Sequence, residues 1–278
     1  MIDLHIHTTA SDGQYTPAQI VDLASVAGLS LISITDHDTT DGTAEGGDAA
    51  RAAGIGFIPG IEISVGGEDE IHILGYNIDA NNAQLKAMCG GFAENRRLRG
   101  LRIIDYLKSY GVSLSLDNVQ EYAGAGTIGR PHFARAMVDA GYAGTVREAF
   151  DKYLGTQEFK KIERPKPRPE AGIRTILAAG GIAVLAHPAQ LDMDGAALES
   201  LLVELKSYGL GGLECYYSTH TPQQTELYLS LAEKHKIAVT GGSDFHGETV
   251  KPGISLGSGV DGSLCIELSD LSGIPALH

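Results

Sequence analysis

Short apolar, β-branched runs recur at Ile2–Ile6, Leu31–Thr35, Gly56–Ile63, Ile71–Tyr76, Ile182–Ala186, Gly211–Tyr216 and Ile237–Thr240, and each predicts a buried strand. Helical punctuation separates most of them. Thr16-Pro17 pairs a capping hydroxyl with a proline suited to a first turn, and the helix it opens stops at Gly28. Residues 43–53 stop at Gly54, 170–179 at Gly180-Gly181 and 196–208 at Gly209, while 222–235 open at Thr221-Pro222. Strand then helix, repeated, predicts a parallel sheet, and about seven such strands close into a barrel.

The alternation breaks between about residue 80 and residue 165. Leu85, Met88, Cys89 and Phe92 follow helical spacing, and further helix-like stretches come after them without a β-rich run. The pattern therefore predicts a barrel made of 1–79 and 166–278, interrupted by a helical insertion at 80–165. The insertion carries Arg96, Arg97, Arg99, Arg102, Arg130, Arg135 and Arg147, with Lys160, Lys161 and Arg164 at its end. The Arg96–Arg102 run reads as one exposed helix face. Pro165, Pro167 and Pro169 stiffen the return to the barrel.

Composition narrows the setting. A chain of 278 residues with 43% hydrophobic content can bury a large core. No stretch is long and apolar enough to span a bilayer, and Met1-Ile2-Asp3-Leu4 lacks the basic start of a signal peptide, which predicts a cytoplasmic protein with no membrane partner. Cys89, Cys215 and Cys265 are not in metal-ligand spacing and read as buried free thiols. A formal net charge of −14 argues against duplex DNA as a partner, but not against a small phosphorylated substrate drawn to a metal-bearing pocket.

Chemistry-bearing residues collect where the strands end. His5-Ile6-His7 places two imidazoles on one strand face, and Asp244-Phe245-His246 repeats the arrangement near the far end of the chain. Asp12, Asp36-His37-Asp38, Glu62, His72 and His187-Pro188 lie between them, each in or near the end of an apolar run. Any one of these histidines is more often a satisfied core or surface residue than a ligand, but the set as a whole describes a polynuclear metal site. Asp36 and Asp38 stay outside it, because an acid beside a ligand often orients an imidazole instead. Imidazole and carboxylate donors without thiolate suit manganese, iron or zinc. Gly129-Arg130-Pro131-His132 opens a helix whose first turn favours an anion. Tyr216-Tyr217-Ser218-Thr219-His220 follows a strand, so His220 is a candidate to protonate a leaving oxygen.

The ordered motifs His5-Ile6-His7, Ser11-Asp12-Gly13, Ile34-Thr35-Asp36-His37-Asp38, Gly60-Ile61-Glu62, His72, Ala186-His187-Pro188 and Gly242-Ser243-Asp244-Phe245-His246-Gly247 resemble those of the PHP (polymerase and histidinol phosphatase) family. The likeness covers essentially the whole chain. It is nearest to the branch with the helical insertion and the Gly129-Arg130-Pro131-His132 motif, which contains a phosphatase of nucleoside 3′,5′-bisphosphates and enzymes degrading short RNA from the 5′ end. The resemblance implies an α/β fold, a distorted seven-stranded (β/α) barrel, and two or three divalent ions, manganese first. It implies that His5, His7, Glu62 and Asp244 hold one ion, that Glu62, His72 and His187 hold a second, and that Asp12, His37 and His246 hold a third.

In that reading Glu62 and Asp244 are the catalytic carboxylates around a metal-activated hydroxide. Asp12, His37, Arg130, His132 and Arg164 contact a small phosphorylated nucleotide. The implied activity is release of the 3′ phosphate from a nucleoside 3′,5′-bisphosphate. Exonucleolytic cleavage of short RNA from the 5′ end and a histidinol-phosphate-type phosphatase are the enzymatic alternatives. A retired barrel that only binds nucleotide or senses metal is the non-enzymatic one, and the intact ligand set speaks against it.

Overall fold

The computed structural model describes residues 1–66, 71–124, 128–162 and 165–273. They divide into two compact units, Met1–Cys89 with Lys166–His278, and Gly90–Pro165.

The first unit is built on a seven-stranded sheet whose neighbours follow chain order. Its elements begin with β1 (Ile2–Ile6), α1 (Pro17–Val26), β2 (Leu31–Ile34), α2 (Thr43–Ala53), β3 (Gly56–Val65) and β4 (Ile71–Tyr76). Thr16 caps α1 in a reciprocal pair with Gln19, and α2 ends on left-handed Gly54, as the punctuation predicts. β1, β2 and β3 pair in parallel, but β4 runs antiparallel to β3 and to the strand that follows it. This departs from the all-parallel expectation. The segment joining β3 to β4 is too short for a crossover helix, so the chain turns back on itself.

α3 (Ala83–Ser109) begins in this unit, where Leu85 is fully buried and Gln84 and Asn82 hydrogen-bond to Thr175 and the Ala178 carbonyl. Its remaining turns, with α4 (Leu116–Ala123), α5 (Arg130–Asp139), α6 (Val146–Ala149) and α7 (Gln157–Lys160), form the second unit. That unit has its own apolar core, centred on Leu107, Val119, Phe133, Met137, Leu154 and Phe159.

The chain re-enters the first unit through α8 (Pro169–Ala178), β5 (Ile182–Leu185), α9 (Gly195–Tyr208), β6 (Gly212–Tyr217), α10 (Pro222–His235) and β7 (Ala238–Gly242). Past β7 the Asp244 amide donates to the His5 carbonyl at 2.8 Å and the His7 amide to the Phe245 carbonyl at 2.9 Å, bringing both ends of the sheet together. The seven strands and their surrounding helices make a nearly closed barrel, as the sequence pattern indicates. A two-stranded ribbon, β8 (Ile254–Ser255) with β9 (Gly259–Val260), follows. Among the described residues no helix is long and apolar enough to cross a membrane. Cys215 is buried and Cys89 half-buried, while Cys265 is exposed, against the expectation of three buried thiols.

Candidate metal centre

The strand ends deliver the predicted residues to one place. His5 and His7 sit on and just beyond β1, fully buried. Asp12 follows in a tight turn in which Thr8 O accepts from the Ser11 and Gly13 amides, and a Cβ on Gly13 would lie 2.5 Å from the His7 carbonyl oxygen, so only glycine fits. Asp36 organises that turn by accepting from the Thr8 amide at 2.7 Å, the Thr8 hydroxyl at 2.7 Å and the Ser11 hydroxyl at 2.6 Å. Asp38 accepts the Ser64 amide at 2.9 Å. His187 and Asp244 have φ of 27° and 57°, a strained region for residues other than glycine. That strain is held where the chain must turn side chains inward.

Glu62 is the hub. Its Oε1 lies 2.9 Å from His72 Nδ1 and 3.0 Å from His187 Nε2. Its Oε2 lies 2.9 Å from His37 Nδ1, 3.2 Å from His7 Nε2 and 3.4 Å from His5 Nε2. Asp244 Oδ1 faces His7 Nε2 and His246 Nδ1, both at 3.3 Å, and His5 Nε2 at 3.6 Å. Asp12 Oδ1 is 3.4 Å from His246 Nε2 and 3.8 Å from His7 Nδ1. Among the described residues, three groupings have metal-site spacing: His7, Asp12, His37 and His246; His5, His7 and Asp244; and His37, Glu62 and His72. Compared with the partition implied by the motifs, His7 also joins Asp12, and His37 stands beside Glu62.

Burial and charge are balanced within this set. Burial alone would raise the pKa of Glu62, but His37, His72 and His5 outweigh it and hold the carboxyl well below its usual range. Asp12 and Asp244 are lowered well below theirs, with the neighbouring imidazoles overcoming burial in the same way. Burial opposes protonation of His5, yet Glu214, Glu62 and Asp244 raise its pKa well above the usual value. His7 is lowered by burial and by His246 and His37.

The donor set fits divalent ions. His5 Nε2, His7 Nε2 and Glu62 Oε2 are buried without a hydrogen bond although they crowd together, a costly arrangement unless something else satisfies them. His5 Nδ1 is already committed to Glu214 at 2.9 Å, which leaves a lone pair on Nε2 facing the cluster. A divalent cation accepts that lone pair and the spare carboxylate oxygen together.

Several residues at this site are absent from the sequence-based set. Glu214, fully buried, accepts from His5 with one oxygen and from the His187 amide with the other at 2.6 Å. A lone acid inside the apolar run Gly212-Leu213-Glu214-Cys215 was the signal available for it. Asp3 offers the same signal, and it accepts from the His5, Ser243 and Gly257 amides. Tyr217 donates to Asp244 Oδ2 at 2.6 Å and accepts from Gln190 at 2.7 Å. Lys251 also binds Asp244 Oδ2, and nothing in the sequence announces it.

Other predicted residues are not members of these groupings. His220 does not line the barrel cavity: its Nδ1 donates to the Cys215 carbonyl at 2.9 Å, and its ring packs within 5.1 Å of Tyr217 and 4.8 Å of Tyr228. Its Nε2 is buried and makes no hydrogen bond. Arg130 is exposed at the start of α5 and lines a shallow cleft with Arg96, Arg99 and Gly129 in the second unit. Arg96 and Arg99 are thus half-buried rather than part of one exposed face, whereas Arg97 is exposed and paired with Glu94. His132 is buried, and its Nδ1 accepts the Gly129 amide at 3.0 Å, capping the start of α5. Arg164 lies outside the described residues.

Comparison with known proteins agrees with this geometry. Residues 3–160 match the profile of the PHP domain. A 3′,5′-nucleoside bisphosphate phosphatase of Chromobacterium violaceum is 34% identical over 247 residues, covering 88% of this chain and 87% of that protein. A 5′-3′ exoribonuclease of Haemophilus influenzae is 34% identical over 245 residues, covering 88% and 89%. The crystal structure of a candidate metal-dependent phosphoesterase from Bifidobacterium adolescentis superposes with a TM-score of 0.81 at 33% identity, covering 93% of this chain and 91% of that one.

Proposed function

The chain belongs to the PHP-domain family and is a metal-dependent phosphoesterase, and from that premise we propose that it removes the 3′ phosphate from nucleoside 3′,5′-bisphosphates, adenosine 3′,5′-bisphosphate giving AMP and phosphate. What supports the choice is that two groups of side chains have chemistry suited to phosphate. One is the His, Asp and Glu cluster of the first unit, and the other is the cleft of Arg96, Arg99 and Arg130 in the second. A monophosphate such as histidinol phosphate needs only the former.

His5, His7, Glu62 and Asp244 would hold one ion, Glu62, His72 and His187 another, and Asp12, His37 and His246 a third, with manganese the preferred metal. Such ions, when bound, supply a water that ionises near neutral pH and neutralise charge on phosphoryl oxygens. The chain's own contribution is orientation. Glu214 fixes the His5 tautomer so that Nε2 faces the cluster, and Tyr217 fixes Asp244 with Oδ1 toward the imidazoles. Asp36 holds the turn that presents Asp12, and that carboxylate and His37 would contact the substrate. Arg130 grips the 5′ phosphate through charge-assisted hydrogen bonds, with Arg96 and Arg99 in the same cleft.

A second reading, 5′-to-3′ cleavage of short RNA, needs the same metal centre but room for a longer chain, and draws on a relative of equal identity. A phosphate-release screen with manganese over nucleoside 3′,5′-bisphosphates, nucleoside monophosphates and short 5′-phosphorylated RNA separates them. Fast release from the bisphosphates, with slow RNA shortening, is the expected result. Preferential liberation of nucleoside monophosphates from RNA would favour the second reading.

A further inference from the structure

The barrel cavity, about 220 Å³ in volume, is lined by acids and imidazoles of the cluster and by one ammonium among the described residues, that of Lys251. Its loop is fixed from both sides. The Lys251 amide donates to the Gly247 carbonyl at 2.9 Å, and Gln14 Oε1 accepts from both the amide and the hydroxyl of Thr249 at 2.9 and 2.8 Å. Gly247 has φ of 97°, and a Cβ there would lie 2.3 Å from Gln14 Cβ, so the loop's path depends on that glycine. The ammonium meets Asp244 Oδ2, lies 3.3 Å from the Tyr217 hydroxyl and stands 5.8 Å from the centre of the Tyr217 ring.

Asp244 does not need this contact to be held. Its Oδ2 is already bound by the Tyr217 hydroxyl, which is anchored in turn by Gln190. Its other oxygen faces His5, His7 and His246. Lys251 therefore adds an about one-third exposed cation to a carboxylate that already has its orienting partner. An ammonium has three N–H donors, and Asp244 and Tyr217 engage two of them. A phosphomonoester entering this cavity brings a dianionic group whose non-bridging oxygens can accept the remaining N–H.

We propose that Lys251 is a substrate-contacting residue that donates a hydrogen bond to a non-bridging oxygen of the reacting phosphoryl group, keeping or exchanging its contact with Asp244 as the group arrives. The proposal rests on the phosphoesterase reading and is independent of which nucleotide is the substrate. Lys251 transfers no proton and makes no covalent bond in it. The result is selectivity for a terminal phosphate, since an oxygen masked by esterification offers a weaker acceptor to the ammonium.

Inorganic phosphate is the probe, because every phosphomonoester substrate yields it. Wild type, Lys251→Gln, Lys251→Arg and Tyr217→Phe are loaded with manganese, and metal content, phosphate affinity by calorimetry and kcat/KM on a generic aryl phosphate are measured. Lys251→Gln should retain wild-type metal content and bind phosphate about 10- to 100-fold more weakly, the scale of a charge-assisted hydrogen bond. Lys251→Arg should recover most of that loss. Tyr217→Phe should instead lower metal content. Unchanged phosphate affinity in Lys251→Gln, or loss of metal from it equal to that in Tyr217→Phe, would overturn the proposal and make Lys251 a support for Asp244. Failure of loaded wild type either to bind phosphate or to hydrolyse the aryl phosphate would remove the phosphoesterase reading itself and the proposal with it.

Discussion

Replacing Glu214 by glutamine tests how the site is prepared for metal. The side chain keeps its shape and loses its charge, and it is buried, so no water compensates. In the native chain one carboxylate oxygen accepts from His5 Nδ1 at 2.9 Å and the other from the His187 amide at 2.6 Å. A carboxamide has one acceptor oxygen for these two donors, so whichever way it is turned, an NH₂ group opposes an N–H. Losing a hydrogen bond to a charged group costs about 1.5–3 kcal/mol, or roughly 10- to 150-fold in an equilibrium constant. If His5 answers by moving its proton to Nε2, the lone pair facing the cluster disappears. Glu214→Gln should therefore weaken metal affinity by about 10- to 100-fold, in line with other partners that orient a ligand. At saturating metal, phosphate release should recover to within a few-fold of wild type, because Glu214 does not line the cavity. Metal affinity is read by titration in chelator-buffered manganese, and turnover by phosphate release at rising metal. Undiminished affinity would refute the reasoning, since it would mean that neither the His5 tautomer nor the His187 backbone depends on this carboxylate.

Asp244→Asn and His5→Ala should each lower activity by several orders of magnitude with loss of bound metal; full metal content with near-normal turnover, seen by elemental analysis beside kinetics, would remove the ligand assignment. Chelation should leave a metal-free protein most stable in mildly acid solution. Burial opposes the charge on His5 and His246, but nearby carboxylates raise both, so their contribution is complete below about pH 6.5 and is lost as pH rises through the raised values. Glu62, Asp12 and Asp244 are lowered despite burial, so theirs is present above about pH 4 and lost as pH falls through the depressed values. Since metal displaces protons from the same imidazoles, the rise in Tm on adding manganese should grow between pH 6 and pH 8, and a constant rise would count against the linkage. Arg130→Ala should cut kcat/KM for a nucleoside 3′,5′-bisphosphate by about 30- to 1000-fold, corresponding to roughly 2–4 kcal/mol for a bidentate phosphate contact, with little loss on the nucleoside 3′-phosphate. Equal losses on both would remove Arg130 from the 5′ phosphate.

The fold was legible because its punctuation is strong. β1 and β4 coincide with the apolar runs that predict them, and the helix ends at Gly28, Gly54 and Gly209 follow from residues that tolerate a left-handed turn. Strand direction was less accessible. The run Ile71–Tyr76 has the same apolar character whichever way it points, and its antiparallel pairing follows from the short link after Val65 rather than from the run itself. The exposed and inward arginines of α3 were indistinguishable for a related reason. Helical spacing puts Arg96 and Arg99 on one face, but only the packing of Ile128 and Phe133 beside them decides that this face borders a cleft.

The site shows where residue type stops being informative and geometry takes over. His5, Glu62, His187 and Asp244 could be found from sequence because unusual residues recur at strand ends. Tyr217 follows a different logic. Simple alternation along β6 would place Glu214 and Tyr216 on one face, yet the pairing of β6 with β7 shifts register between those two residues, and the shift aims Tyr217 at Asp244 while Tyr216 packs against the apolar interior. One extra residue in a strand thus goes with Tyr217, and not Tyr216, reaching the Asp244 carboxylate. Lys251 completes the contrast, because the feature that brings its ammonium to Asp244 is the path of a loop fixed by Gly247 and Gln14, a long-range pairing that neither residue reveals alone.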